Sequence, residues 1–335
     1  MTHIHLSAAP GRARLTTRAG ALVPRVIEIG PAFARVAIVA GGALLLGGDS
    51  VRLSITVGTG CTLELEDIGG TVAYNADGRG SEWVVEATVE ANALLIWHGL
   101  PFVVADGANV DRRTTITLRG HGALACLRET IVLGRTGERG GTIDLRTNVH
   151  TTPASVPDGP AHTGSEQNEW VAPEALFVEQ LTVRGAEPVP GVVGGNRVLD
   201  SLLLLGTRAP ADSSASVATA VASAVSGRSA ASPQAGSSRS VPAAALGSTE
   251  VLELEGPASI ARSLQREAHR SVLSPVWNDW CAHALSVHAA RVGDDPETPV
   301  NSTNTATQNT KQNCCNPSIT QHSSTSPHLS LDPRL

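Results

Sequence analysis

From residue 12 to residue 205 apolar and polar positions alternate with a period of two, the signature of half-buried strands. In "VRLSITVGTGCTLELED", Val51, Leu53, Ile55 and Val57 share one face. Cys61, Leu63 and Leu65 follow after a Gly-Thr-Gly turn. "WVVEATVEANALLIW" sets Trp83, Val85, Ala87 and Val89 against Glu86, Thr88 and Glu90, and "TTITLRGHGALACLRETIVL" and "LFVEQLTVRG" continue the pattern. The stretch "LRETIVLGRTGERGGTIDL", residues 127–145, reads as two strands joined by a Gly-rich hairpin turn. Strands do not alternate with helical patterns, which disfavours a doubly wound parallel sheet. The spacing changes only near the end. "GPASIARSLQREAHR" has Pro257 in a first turn and Ile260, Leu264 and Ala268 four apart. "SPVWNDWCAHALSVHAA" has Ser274 as N-cap, Pro275 at the first helical position, and Trp277, Cys281 and Ala284 on one face. The expected fold is mainly β, many short strands in a large β body, with two C-terminal helices.

Some positions break this pattern. Glu129 falls in phase with Leu127, Ile131 and Leu133; Glu179 with Phe177, Leu181 and Val183; and Asp67 with Cys61, Leu63 and Leu65. A carboxylate directed into a core must be paired, protonated, metal-bound or wet. A bulge or strand end that re-aims a single acid to solvent is the simpler account of any one of them. Three together point to a polar, water-containing interior or a partner interface.

Composition narrows the possibilities further. Hydrophobic residues make up 41% of the 335, aromatics only 3%, and there are 33 glycines, so small aliphatics and turns carry the packing. A net charge of −6 argues against a nucleic-acid-binding face. "AIVAGGALLLGG" is too short and glycine-broken to span a bilayer. The N-terminus "MTHIHLSAAPGRARL" lacks a signal-peptide pattern, so a cytoplasmic protein is expected. The five cysteines form no CxxC pair, and Cys61, Cys126 and Cys281 read as small buried hydrophobes. Residues 207–249 are Ala/Ser-rich and read as a mobile insertion. Residues 297–335, which hold the only lysine, Lys311, have the composition of a disordered tail. The body is then 1–206, completed by a C-terminal part at 250–295.

Candidate chemistry is sparse. "GRTGERGG" lacks the Lys-Ser/Thr of a phosphate loop and precedes a strand, so nucleotide binding is not indicated. In "GGALLLGGD", Gly47 and Gly48 suit a tight turn, leaving Asp49 divided between capping that turn and a functional role. His3 and His5, His98, and Cys314, Cys315 and His322 are metal-ligand types without a defining arrangement. No Ser/His/Asp or Cys/His spacing forces a nucleophile.

"AGGALLLGGDSVRLSITV", "LIWHGLPFVVADGANVDRRTTITL", "LRETIVLGRTGERGG", "VPGVVGGNRVLDSLLLLG" and "LELEGPASIARSLQREAHRSVLSPVWNDW" together resemble the urease accessory protein UreD (UreH) family, in its actinobacterial style. The resemblance covers 12–206 and 250–290. Gly47-Gly48-Asp49 and Leu133-Gly134-Arg135 with Gly137-Glu138 are its most specific elements in combination. It implies a non-enzymatic scaffold that, with UreF and the GTPase UreG, delivers nickel to apo-urease. It also implies a mostly β fold, an internal water-filled passage and no tightly bound cofactor, with Ni²⁺ only in transit. On that reading Glu129, Glu179, Asp67 and Asp49 mark the nickel path, since Ni²⁺ accepts carboxylate and water ligands. Arg135, Glu138, Arg139, Trp277 and Trp280 are the candidate partner contacts, for UreF, UreG or the urease subunits. One departure is "LELEDIGGTVAY", where many members carry a Thr-Thr-Gln-containing strand. The competing readings are a β-rich carbohydrate hydrolase using Glu129 and Glu179, and a generic β interaction module.

Overall fold

The computed structural model describes residues 1–152, 173–213 and 248–293. The core of the expected insertion (214–247) and the expected tail lie outside the described residues. Seventeen strands run in chain order through the described residues: β1 Thr2–Ser7, β2 Arg14–Arg18, β3 Leu22–Ile29, β4 Phe33–Ala40, β5 Ser50–Val57, β6 Thr62–Asp67, β7 Thr71–Ala73, β8 Ser81–Val89, β9 Leu94–His98, β10 Phe102–Val104, β11 Asn109–Arg119, β12 Leu124–Leu133, β13 Thr142–Thr152, β14 Glu174–Arg184, β15 Val198–Leu205, β16 Ser248–Glu253 and β17 Ala258–Gln265. One α-helix, α1 (Leu273–Gly293), closes the described chain.

Two sheets divide these strands. The first has the order β14-β13-β11-β8-β5-β1-β2; the second runs β16-β17-β15-β12-β9-β6-β4-β3, with β7 and β10 extending it beside β12. Successive strands from β5 to β13 cross back and forth between the sheets, so neighbours within each sheet are parallel: β1, β5, β8, β11 and β13 in one, β4, β6, β9 and β12 in the other. A parallel pair needs a long connection, usually a helix. Here the connection is a strand of the opposite sheet. The Gly-Thr-Gly turn and the "GRTGERGG" turn are therefore arches between sheets, and the expected hairpin at 127–145 does not form. Its first half pairs with β15, β9 and β10, its second with β11 and β14. The reason is that both edges of β12 are taken, by β9 and β10 on one side and β15 on the other, and its two faces are buried as well. Leu127 and Ile131 face the inter-sheet core, while Leu124 and Cys126 meet α1.

Three of the arches stack. Gly60, Asn92 and Gly122 each adopt a positive φ of 69°, 51° and 75°. The amide of Gly60 donates to the Ala91 carbonyl (3.1 Å) and that of Asn92 to His121 (2.9 Å). Glycine and asparagine are the residues that enter this left-handed region at low cost.

The C-terminal part corrects one expectation. Residues 258–265, read as a helix, form β17, sandwiched between β15 and β16. Ala258, Ser259, Ile260 and Ala261 are all buried, a two-sided burial that four-residue spacing does not report. Only a 3₁₀ turn at Ala268–Arg270 remains of that helix. The second expected helix is present, and its Val276, Trp277, Trp280, Cys281 and Ala284 pack on Leu94, Ile96, Leu124, Cys126, Leu202 and Leu204. Its first amide, of Leu273, donates to the Ser271 hydroxyl (3.3 Å), so Ser271 rather than Ser274 meets the helix start.

Candidate functional site

A cavity of about 40 Å³, partly open to solvent, lies between the sheets, with Asp67, Trp83, Phe102, Arg112 and Glu129 among its walls. A smaller one of about 10 Å³ is lined by Phe177, Glu179, Ser201 and Arg262; both are bounded by Glu129, Thr147 and Leu203. The two spaces therefore share Glu129 as a wall.

β12 explains why a space exists there. Its residues 124–128 pair with β9 and 131–133 with β10, which leaves Glu129 and Thr130 without a strand partner on that side. The interruption is made by Gly99, Leu100 and Pro101 between β9 and β10, and by Ile68, Gly69 and Gly70 between β6 and β7. Gly99 is required, because a Cβ there would sit 2.6 Å from the Arg128 carbonyl oxygen. The first cavity touches consecutive residues 127–130 and so reaches β12 where its ladder is open.

Each inward acid has a specific partner. The Glu129 carboxylate, on the second sheet, accepts from the Arg112 guanidinium of the first. Glu179, on the first sheet, accepts from Arg262 of the second through both oxygens, at 2.6 and 2.9 Å. Two ion pairs of opposite polarity thus bridge the sheets, and the glutamate side chains are each 24% exposed. Arg112 also lies over the Phe102 ring (4.7 Å) and the Trp83 ring (5.5 Å), a cation–π arrangement. The Nε atoms of Arg112 and Trp83 are buried without a partner among the described residues, as donors facing water-sized space would be. Asp67 accepts from the Trp97 indole and from the Leu100 amide, both at 3.1 Å. Burial raises its pKa, and these two hydrogen bonds and Arg112 oppose the rise.

The remaining expected residues fall elsewhere. Asp49 is half-buried and its carboxylate accepts from the Leu46 amide (2.9 Å), which closes the Gly47-Gly48 turn. That turn lies apart from the residues that line the cavities. Arg135, Glu138 and Arg139 share the arch between β12 and β13. Glu138 accepts from the Arg135 amide and guanidinium (both 2.8 Å), and the Arg135 pair holds its pKa down at about 2. The Arg139 amide donates to Asp106 (2.9 Å) and its guanidinium to the Ala186 carbonyl (2.6 Å). The arch is therefore a braced surface feature. Trp277 and Trp280 are 5% and 0% exposed. Trp280 donates to the Ser213 hydroxyl (3.0 Å), and Trp277 packs on the His98 ring with centroids 5.3 Å apart. Both indoles are spent on docking α1 and are not surface anchors.

Two buried acids escaped the period-two reading. Asp200 is 0% exposed and accepts from Arg128 (2.8 and 3.2 Å), Thr130 (2.9 Å) and Ser271 (2.5 Å). Its signal was a lone acid in the apolar run "VLDSLLLL". Glu64 is 3% exposed and paired with Arg35 at 2.6 Å. It alternates with Leu63 and Leu65, so it lies on the opposite face of β6, which is covered as well. Among the described residues no group of three or more His, Cys, Asp or Glu side chains is placed to hold a metal ion. No described helix is long and apolar enough to cross a membrane. The competing glycosidase reading would need two carboxyls flanking an open cleft. Glu129 and Glu179 instead bind arginines between two sheets.

Over residues 2–293 the sequence matches the family described as UreD urease accessory protein. Among curated relatives, urease accessory protein UreD 1 of Streptomyces griseus is 40% identical over 178 residues, covering 52% of this chain and 62% of that protein. UreD proteins of Frankia alni and Parafrankia sp. are 38% and 35% identical over 198 and 179 residues, covering 57% and 51% of this chain. The chain spans 59–62% of the length of these three relatives. All are named as accessory proteins and none for a reaction of its own. With the match running through both sheets and the C-terminal helix, the chain belongs to the UreD urease accessory protein family.

Proposed function

We propose that the protein is a non-enzymatic urease maturation scaffold of the cytoplasm, which acts with UreF and UreG to bring Ni²⁺ to apo-urease. The observation that carries this reading is the pair of adjoining inter-sheet cavities walled by Asp67, Glu129 and Glu179. A cation in transit needs oxygen ligands that are spaced out and exchangeable, because a closed ligand cage would retain it. Three carboxylates strung along a wet interior, with no cage around them, suit passage better than storage. Asp49 is not on this route, since its carboxylate closes a surface turn. Among the partner-contact candidates, the braced arch with Arg135, Glu138 and Arg139 remains accessible, whereas the two tryptophans do not.

Reconstitution tests this directly. Apo-urease, UreF, UreG, GTP, bicarbonate and Ni²⁺ are combined with and without the chain, and urease activity is followed. The expected result is activation that depends on the chain; equal activation in both mixtures refutes the scaffold. Glu129→Gln and Glu179→Gln are expected to lower activation while the partner complex still assembles. Unchanged activation in both variants would remove the passage and leave the scaffold.

A further inference from the structure

We infer that Arg112 and Arg262 set how tightly the interior holds a divalent cation, each guanidinium masking one carboxylate so that a would-be trap becomes a point of exchange. The biological meaning of this rests on the transit reading above; the chemistry does not.

The two pairs are mirror arrangements. In each, an acid on one sheet is met by an arginine on the other, Glu129 by Arg112 and Glu179 by Arg262. At Glu179 both oxygens are taken by a forked guanidinium, and these are the same lone pairs a metal would use. The arginine and a chelating cation therefore compete for the same edge of the carboxylate. A guanidinium that stays nearby also repels a doubly charged ion. Burial strengthens both effects, because the glutamate side chains are only 24% exposed and the effective dielectric there is lower than in water.

Each arginine also has somewhere to rest once its glutamate is released. Arg112 already lies over the Phe102 and Trp83 rings, so it can give up the carboxylate without becoming a naked buried charge. Arg262 keeps the Ser201 hydroxyl at 3.3 Å from its Nε. Displacement by a cation is then a local swap across the gap between sheets. It requires no opening of the fold. The cavity walls carry three acids, Asp67, Glu129 and Glu179, and three arginines, Arg112, Arg128 and Arg262, with Arg128 committed to Asp200, so no excess of negative charge holds a cation fast.

The test is Ni²⁺ binding to the full chain by equilibrium dialysis, with folding checked by circular dichroism and thermal unfolding. Arg112→Gln and Arg262→Gln are each expected to create one Ni²⁺ site at least tenfold tighter than any in the unsubstituted protein. Adding Glu129→Gln or Glu179→Gln, respectively, is expected to abolish that site. Arg112→Lys and Arg262→Lys, which keep the charge, are expected to leave the affinity within threefold. The inference is overturned if neither Gln variant binds more tightly, or if the gain survives loss of the paired glutamate. Should Arg112→Gln fail to fold, the more exposed pair at Arg262 decides by the same criteria. Urease activation is then measured separately. Tighter binding with slowed activation fits both ideas, whereas tighter binding with unchanged activation keeps the masking role and refutes transit through these carboxylates.

Discussion

Asp200→Ala probes the contact that ties α1 to the second sheet. The Asp200 carboxylate is fully buried and satisfies Arg128, Thr130 and Ser271, and Ser271 in turn receives the first amide of the helix. Alanine leaves the Arg128 guanidinium, 13% exposed, with only the Ser274 hydroxyl at 3.2 Å from its Nη1. An uncompensated buried charge of this kind costs about 3–5 kcal/mol. Asp200→Asn keeps the shape and one acceptor but loses the charge, which places it at about 1–3 kcal/mol. For a body of this size 1 kcal/mol shifts the melting temperature by roughly 2–4 °C, so the alanine variant should melt roughly 10 °C lower. Urea unfolding, followed by far-ultraviolet circular dichroism and by tryptophan fluorescence, measures both variants. Replacing the pair together, Arg128→Met with Asp200→Leu, should recover much of the loss, since no charge is then stranded. An Asp200→Ala protein within about 1 kcal/mol of the parent would refute the claim that this buried cluster is structural.

Other outcomes can be checked independently. Gly99→Ala, whose Cβ would meet the Arg128 carbonyl at 2.6 Å, should destabilise by about 1–3 kcal/mol, whereas Gly69→Ala, with open space around it, should stay within about 0.5 kcal/mol; thermal unfolding compares them. Glu138 should titrate near pH 2 by carboxyl-detected NMR and return toward the ordinary glutamate range in Arg135→Ala, because that guanidinium is what holds it down. Burial lowers the pKa of His98 and of His288 below 6.5, so the unfolded chain takes up protons that the folded one refuses. Stability should accordingly fall as pH drops below about 6.5, and His98→Gln with His288→Gln should flatten that decline in pH-dependent urea unfolding.

Much of the architecture was legible in local pattern. Period-two alternation located the strands from 50 to 133 because each of them has one face on the core between the sheets. Glu129 and Glu179 could be singled out because a phase relation places a side chain on a face whatever the strand pairs with. Pairing itself was not legible. A Gly-rich turn looks the same whether the next strand returns beside the first or arches to an opposite sheet, and only the long-range partners on both edges of β12 distinguish them. Residues 258–265 show the same limit, since a strand buried on both sides loses the alternation that identifies it, and Ile260, Leu264 and Ala268 then fall at helical spacing.

By itself, then, the chain determined where its extended segments lie, where left-handed turns are affordable, and which acids must face inward; these follow from backbone sterics and from the geometry of neighbouring residues. Only the tertiary structure decided what those acids meet. Arg112 lies 17 residues from Glu129, and Arg262 lies 83 residues from Glu179. Their encounter depends on the stacking of two sheets, and no local rule carries that information. The same holds for Trp277 and Trp280, large apolar side chains that serve as core contacts or as surface anchors, and the second sheet settles them as core.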